Sequence, residues 1–437
     1  MAEPHIQGLT ETEAAGIQSF EKPSAGSWTE AFGLGTGKVS FKDCYDPEFY
    51  ELEKEAVFRR TWLHMGRVEH MLPRKGTYFT RELEFLGVSV LIIRGMDDEI
   101  RAFHNVCPHR GNKLMWDEYP DRESKGACRQ IACKYHGWRF GLDGKINYVH
   151  NAPEFFDLKA EEIGLKPIHC DVWAGFIFIN LEETPSQDLR EFLTPSLARL
   201  ETYPFHKMSQ RYVIESEIDA NWKLFMDAFQ ELYHVPFVHG LMNNPAIPAT
   251  GVDKVPFMVP AFSIHGKHRC MTSGGPHANK RVRAGRPIEE IFRGDFFGPF
   301  DVPDVGELGD GVNPSRVKAW GLDSWQLYPN LVILTWCQNW FITYEYWPIS
   351  PGRHKFILSG HFVPPQNATE RLAQEHSFCT TKEFCMMDAN TLQATQLGLE
   401  SGAIEEFNLC DQEVAIRHLH EIVQADVAAY KAERGRR

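Results

Sequence analysis

The chain has 437 residues, enough for two or three domains, and its 43% hydrophobic and 24% charged residues are an ordinary globular composition. A net charge of −13 with His neutral argues against nucleic acid or an anionic membrane surface as a partner, because both select clustered Lys and Arg; an acidic surface still suits a basic redox partner. No apolar stretch approaches the roughly 20 residues that span a bilayer, so the chain is read as cytoplasmic, with its ten cysteines expected as reduced thiols, buried small residues or metal ligands.

Residues 1 to about 40 read as an extended arm, and MAEPHIQGLTETEAAG lacks the basic region and apolar run of a secretory signal. GLGTGK at 33–38 has the spacing of neither the P-loop nor the dinucleotide fingerprint and follows no apolar strand, so it is read as a turn. A helix is predicted over 46–62, with Asp46 near its cap. From 64 to about 180 short β-branched and aromatic runs, clearest at 88–94 and 172–180, predict an all-β domain of small strands. Beyond 185 a strand is expected at 211–218 and a helix at 221–234. Residues 240–315, rich in Gly and Pro, are a candidate lid. Strands return at 330–349 and 355–363, and helices at about 367–400 and 411–434 close the chain. His418 and His420 on the last helix are read as structural.

CPHRGN (107–112) and CKYHGW (133–138) form two Cys/His pairs, C-x-H, 23 intervening residues, then C-x2-H. Two thiolates and two imidazoles suit either structural zinc or a Rieske two-iron, two-sulfur cluster, in which two Cys hold one iron and two His the other. Zinc fingers usually group Cys with Cys and His with His, whereas each half here supplies one of each. Gly111 and Gly137 allow the tight backbone that points amides at sulfurs.

CPHRG and CKYHGW resemble the ligand loops of ring-hydroxylating and related Rieske non-haem iron oxygenases, in their large (alpha) or terminal oxygenase subunit. They lack the extra cysteine pair of the respiratory Rieske proteins. The resemblance implies a cluster on Cys107, His109, Cys133 and His136. The stretch between His109 and Cys133 exceeds the family's usual roughly fifteen to seventeen residues. The excess lies in the polar loop 116–128, whose Cys128 competes as a ligand but lacks the C-x2-H partner that Cys133 has in His136.

In NWKLFMDAFQELYHVPFVHG (221–240), His234 and His239 are five apart, not the four that share a regular helix face, and Pro236 between them predicts a helix break after His234. The order Asn221, Trp222, Lys223, Asp227, Glu231, Tyr233, His234, His239 resembles the family's mononuclear iron motif. Many members carry Asp where this chain has Glu231, a carboxylate that the resemblance makes the link between the iron and a neighbouring subunit's cluster. Two His leave a facial triad short of one carboxylate. Asp388 falls within the helical stripe Phe384, Leu392, Thr395, Leu399, and the Gln396-Leu397-Gly398-Leu399 that follows resembles the segment carrying the family's carboxylate ligand; Glu383 and Asp411 are weaker donors.

The resemblance covers roughly 45–430. It implies an α+β fold: an arm and helix (1–57), an all-β Rieske domain (58–182) and a catalytic domain (183–437) with an antiparallel sheet wrapped around helices, a helix-grip, START-like arrangement. It implies a terminal oxygenase with one Rieske cluster and one mononuclear Fe(II), fed from NAD(P)H by a separate reductase, with or without a ferredoxin, and a homotrimer or α3β3 assembly. Glu231 and Asp227 are the expected catalytic carboxylates. Asp227, Ala228 and Leu232 by motif position, and Trp336, Trp340 and Phe341 from the strands, are candidate pocket residues. An apolar pocket favours hydroxylation or cis-dihydroxylation of an aromatic or polycyclic substrate. The alternatives are a monooxygenase that demethylates or hydroxylates a quaternary amine, terpenoid or steroid, a non-enzymatic electron carrier, and a zinc protein.

Overall fold

A computed structural model describes residues 27–117, 122–239, 259, 261–274, 287–317, 320–336 and 339–435. The first 26 residues of the expected arm, four residues of the 116–128 loop and much of the candidate lid lie outside the described residues. The chain divides into two compact units, Lys54–Phe192, and Met1–Glu53 with Leu193–Arg437. Among the described residues no helix is long and apolar enough to cross a membrane.

The smaller unit rests on a seven-stranded antiparallel sheet in the order Leu63–Arg67, Phe176–Asn180, Pro167–Trp173, Ile100–His104, Val88–Arg94, Thr77–Leu83, Lys125–Ala127. A three-stranded sheet, Ile131–Ala132, Arg139–Phe140 and Ile146–Tyr148, shares its core, where Leu91, Ile93 and Phe103 meet Ile131, Trp138 and Phe140. The expected strand at 172–180 is the turn of a hairpin between Trp173 and Phe176. Its residues are apolar on both sides of the turn, so no change of periodicity marks it; Ala174 and Gly175 make it at φ 51° and 81°. Part of the polar loop adds the edge strand Lys125–Ala127, and Cys128 donates its backbone N–H to Gly76 O at 2.8 Å beside that edge.

In the larger unit seven antiparallel strands run Gln210–Ile218, Arg353–Phe362, Trp340–Ser350, Leu331–Trp336, Trp320–Leu327, His268–Gly274, Ala261–His265. The helix Ala368–Glu400, capped by Asn367 on the amide of Glu370, packs against this sheet. A Cβ on Gly360 would sit 2.7 Å from the Phe378 ring, which marks how closely the two approach. The sheet face carrying Gly360 also presents, by strand alternation and register, Ile342, Tyr344, Leu334 and Val332.

Two predicted helices are shorter than expected. The helix over 46–62 is α-helical only for Pro47–Glu53 and continues as a π-helical turn, Lys54–Phe58. The helix over 221–234 ends at Asp227, before Pro236 acts, and Pro236 instead lies in the first turn of a short helix, Val235–Val238. Side chains from near and far in the sequence compete with the helical ladder. The Phe229 carbonyl accepts from Ser324 Oγ at 3.0 Å and Gln326 Nε2 at 3.1 Å, and the Tyr233 amide donates to the Glu231 carboxylate.

Candidate metal centres

The two Cys/His loops are built alike. Cys107 N donates to Asn112 O and Cys133 N to Trp138 O, both at 2.8 Å, while Gly111 and Gly137 donate back to Cys107 O and Cys133 O at 3.0 and 2.9 Å. Both glycines take positive φ, 75° and 71°, which closes each turn without a Cβ penalty. Both cysteines are buried; the His109 and His136 rings lie 4.6 Å apart, centroid to centroid, and are only half-buried. His109 stacks on Trp138 at 4.8 Å. Burial pushes the Cys107 thiol up to about 11, and the Cys133 thiol beside it adds to this. A bound cation reverses that balance, because it ligates the thiolate. Two buried sulfurs and two half-buried imidazoles, one of each from either loop, fit the two-Cys, two-His donor set of a Rieske cluster.

In the larger unit the donor atoms of His234, His239 and Asp388 lie within 4.8 Å of one another. Asp388 Oδ1 is 3.0 Å from His239 Nε2 and 3.6 Å from His234 Nε2. Asp388 stands on the buried face of the long helix with Thr381, Cys385 and Gln396. A carboxylate and two imidazoles gathered in a buried position, and supplied by two separated segments, are a donor set that suits a divalent iron with open positions. Glu231 orients one of the imidazoles. Its carboxylate bonds His234 Nδ1 and accepts from the amides of Tyr233 and His234, which leaves Nε2 for the metal side. Burial disfavours charge on His234, but the hydrogen bond to Glu231 and the negative charges of Glu231 and Asp388 together outweigh it and raise the imidazole's pKa.

The other donors weighed for the iron lie elsewhere: Glu383 is exposed, and Asp411 accepts from Ser27 Oγ, Trp28 N and Thr29 N. Leu232 packs on a cluster of Leu34, Val259, Phe262, Met271 and Val414, and Ala228 is half-buried just past the helix. Trp336 and Trp340 are buried and stacked 5.3 Å apart. From His239 a ladder of rings runs through Phe384 at 4.7 Å and Phe296 at 4.2 Å to Trp336 at 5.3 Å. Phe296 belongs to the Gly/Pro-rich stretch, where no periodicity marks it. Phe341 points to the opposite sheet face, stacked on His361.

Asp227 is committed to a buried charge network. His420 donates from Nδ1 to Asp43 at 2.8 Å and from Nε2 to Asp227 at 3.2 Å; Lys223 pairs with Glu53 at 2.6 Å; Gln230 joins Asp227 to Arg269. The reading of His420 as structural overlooked this, because its partners are about 190 and 380 residues away in sequence. Asp43, Cys44 and His420 also bring three donor atoms within 4.8 Å. His420 and Lys223 already give each of the three carboxylates there a cationic partner, so the cluster needs no metal. Burial alone would lower the His420 pKa, but Asp43 and Asp227 lift it to about 10. A pKa above the ordinary His value means that protonated His420 contributes stability in full below pH about 6.5, fading as pH rises through about 10. The urea midpoint of the wild type is therefore expected to fall between pH 7 and 10 by more than that of His420→Gln. Parallel pH dependences would remove the imidazolium from the network.

Residues 205–429 match the family model described as "Ring hydroxylating alpha subunit (catalytic domain)", and residues 61–160 match "Rieske [2Fe-2S] domain". The chain is 33% identical over 195 residues to the carnitine monooxygenase oxygenase subunit of Acinetobacter pittii, covering 44% of this chain and 50% of that protein. It is 32% identical over 222 residues to the glycine betaine monooxygenase oxygenase subunit of Chromohalobacter salexigens, covering 50% and 46%. The matches thus span about half the length of these curated relatives. Among solved structures, a quaternary ammonium Rieske monooxygenase aligns with TM-score 0.68 at 19% identity, covering 93% of this chain and 99% of that one. Naphthalene 1,2-dioxygenase from Rhodococcus sp. aligns with TM-score 0.68 at 20% identity, covering 90% and 94%. Identities this low establish a shared fold.

Proposed function

This chain belongs to the ring-hydroxylating alpha-subunit family of Rieske oxygenases, and on that premise we propose that it is a terminal monooxygenase acting on a quaternary amine. The convergence of His234, His239 and Asp388, with Glu231 on His234, carries the oxygenase reading. The amine reading is supported by relatives at 32–34% identity named for carnitine and glycine betaine oxidation. It replaces the arene or polycycle expected from an apolar pocket. The ring ladder Phe384, Phe296, Trp336 suits it, because aromatic faces attract a quaternary ammonium without needing a hydrogen bond.

We assign the mononuclear iron to His234, His239 and Asp388, and the cluster to Cys107, His109, Cys133 and His136. When bound, the cluster supplies electrons one at a time and the iron activates dioxygen. The chain's own residues hold and shape that chemistry. Glu231 keeps the His234 proton on Nδ1 and its ring in one orientation. Phe384 walls the His239 side against water. Two electrons reach the chain from a separate NAD(P)H reductase, within a trimer. One oxygen atom enters a C–H bond next to the nitrogen and the other leaves as water. The resulting carbinol breaks its C–N bond to give an aldehyde and an amine.

Purified protein is expected to carry about three irons and two acid-labile sulfides per chain. With a surrogate reductase, it should release amine from carnitine or glycine betaine faster than it hydroxylates naphthalene. Zinc without sulfide would overturn the metal reading; diol formation from naphthalene with no amine release would overturn the substrate reading.

A further inference from the structure

Past the iron residues, the same sheet face holds a buried polar group that the reading above does not use. Arg269 and Gln326 are cross-strand partners, Gln326 pairs in register with Val332, and Val332 with Tyr344, two residues from Tyr346. Strand alternation therefore puts Arg269, Gln326 and Tyr346 on the face that also carries Gly360 and looks toward the long helix with Asp388. All three are at most 1% exposed, and Arg269 Nη1, Gln326 Oε1 and the Tyr346 hydroxyl have no hydrogen-bond partner among the described residues. The Tyr346 hydroxyl lies within electrostatic reach of Cys385, Asp388, Asp227 and Arg269.

Arg269 is the unusual member. Its Nε bonds Gln230 Oε1 and its Nη2 meets Met226 Sδ at 3.4 Å, yet among the described residues no carboxylate lies within ion-pair distance of it. A guanidinium is almost never fully buried without an anion. Asp227, the nearest candidate, already accepts from His420 and Gln230. These three orphaned polar atoms share one sheet face, and each calls for a polar partner. Two of them, on Arg269 and Tyr346, can donate to the same anion, and Gln326 can accept from a water or hydroxyl that accompanies it.

Resting on the amine reading, we propose that Arg269 and Tyr346 bind the carboxylate of a zwitterionic quaternary amine, and so select carboxylated substrates over an alcohol-bearing cation such as choline. The charges suit this division. The carboxylate meets the Arg269 guanidinium, and the ammonium end is left to the ring ladder near the iron. A zwitterion adds no net charge to the buried site.

The test uses the iron-loaded, full-length protein. Wild type, Arg269→Gln and Tyr346→Phe are compared in calorimetric binding of 3,3-dimethylbutyrate, which keeps the carboxylate and lacks the cation, and of 3,3-dimethylbutanol. Turnover of glycine betaine and choline is measured beside them. Arg269→Gln is expected to weaken dimethylbutyrate binding and raise the KM for glycine betaine about 10- to 100-fold, with choline changed less than about 3-fold. Tyr346→Phe should cost about 5- to 10-fold on the carboxylates alone. Should Arg269→Gln not fold, Tyr346→Phe decides alone. Equal losses on carboxylates and alcohols, or a wild type that does not bind dimethylbutyrate, overturn the proposal. Dimethylbutyrate bound through Arg269 without turnover of any quaternary amine would overturn the substrate reading and leave the carboxylate site standing.

Discussion

Asp388→Ala is expected to lower turnover at least about 100-fold while leaving the absorption of the iron–sulfur cluster unchanged. Asp388 is 4% exposed and its carboxylate faces two imidazoles, at 3.0 and 3.6 Å. Ala removes the one anion that turns those imidazoles into a three-donor face, so iron content should fall by about one atom per chain while sulfide stays constant. The donors assigned to the cluster belong to the other unit of the chain, which makes the two metal contents separable readouts. An Asp388→Ala protein with full turnover and full iron would falsify the assignment. Asp388→Glu keeps the charge but lengthens the arm, and is expected to recover part of the iron and less of the activity.

Glu231→Gln should cost about 10- to 100-fold in iron affinity or turnover, and Glu231→Asp much less. The Glu231 carboxylate receives the His234 Nδ1 proton and two backbone amides, of Tyr233 and His234. Each of those partners donates, so an acceptor-only group satisfies all of them. An amide replaces one of the two oxygens with a donor and sets N–H against N–H. The shorter Asp, common in the family at this position, keeps both acceptors. Retained activity in Glu231→Gln together with loss in Glu231→Asp would mean that reach, not acceptance, is what the position supplies. The iron signal in electron paramagnetic resonance separates a reoriented His234, which shifts it, from general destabilisation, which only scales its intensity.

The Cys/His loops were legible because everything they need is local. A thiol, an imidazole and a glycine within five residues specify each turn, and the backbone bonds that close it join residues of the same hexapeptide. The long helix was legible for a similar reason: Phe384, Leu392, Thr395 and Leu399 recur at helical spacing around Asp388, although only Leu399 of the four is fully buried. The helix over 221–234 was not. Its propensity continues to His234, but Ser324 and Gln326, about 95 residues on, take the carbonyl that the next turn needs.

By itself, then, the sequence determined the motifs whose parts are neighbours along the chain, and through their resemblance the family. Only the tertiary structure decided what meets across it. Asp388 comes within 4.8 Å of histidines roughly 150 residues earlier. His420 lies between two carboxylates, and Phe296 enters a ring ladder from a stretch with no periodicity. Among the described residues Arg269 is buried with no carboxylate at ion-pair distance, because a sheet folds it over a helix that no local pattern connects to it. Pairwise chemistry of this kind depends on distance in space, and the order of residues records it only where the backbone itself is the tether.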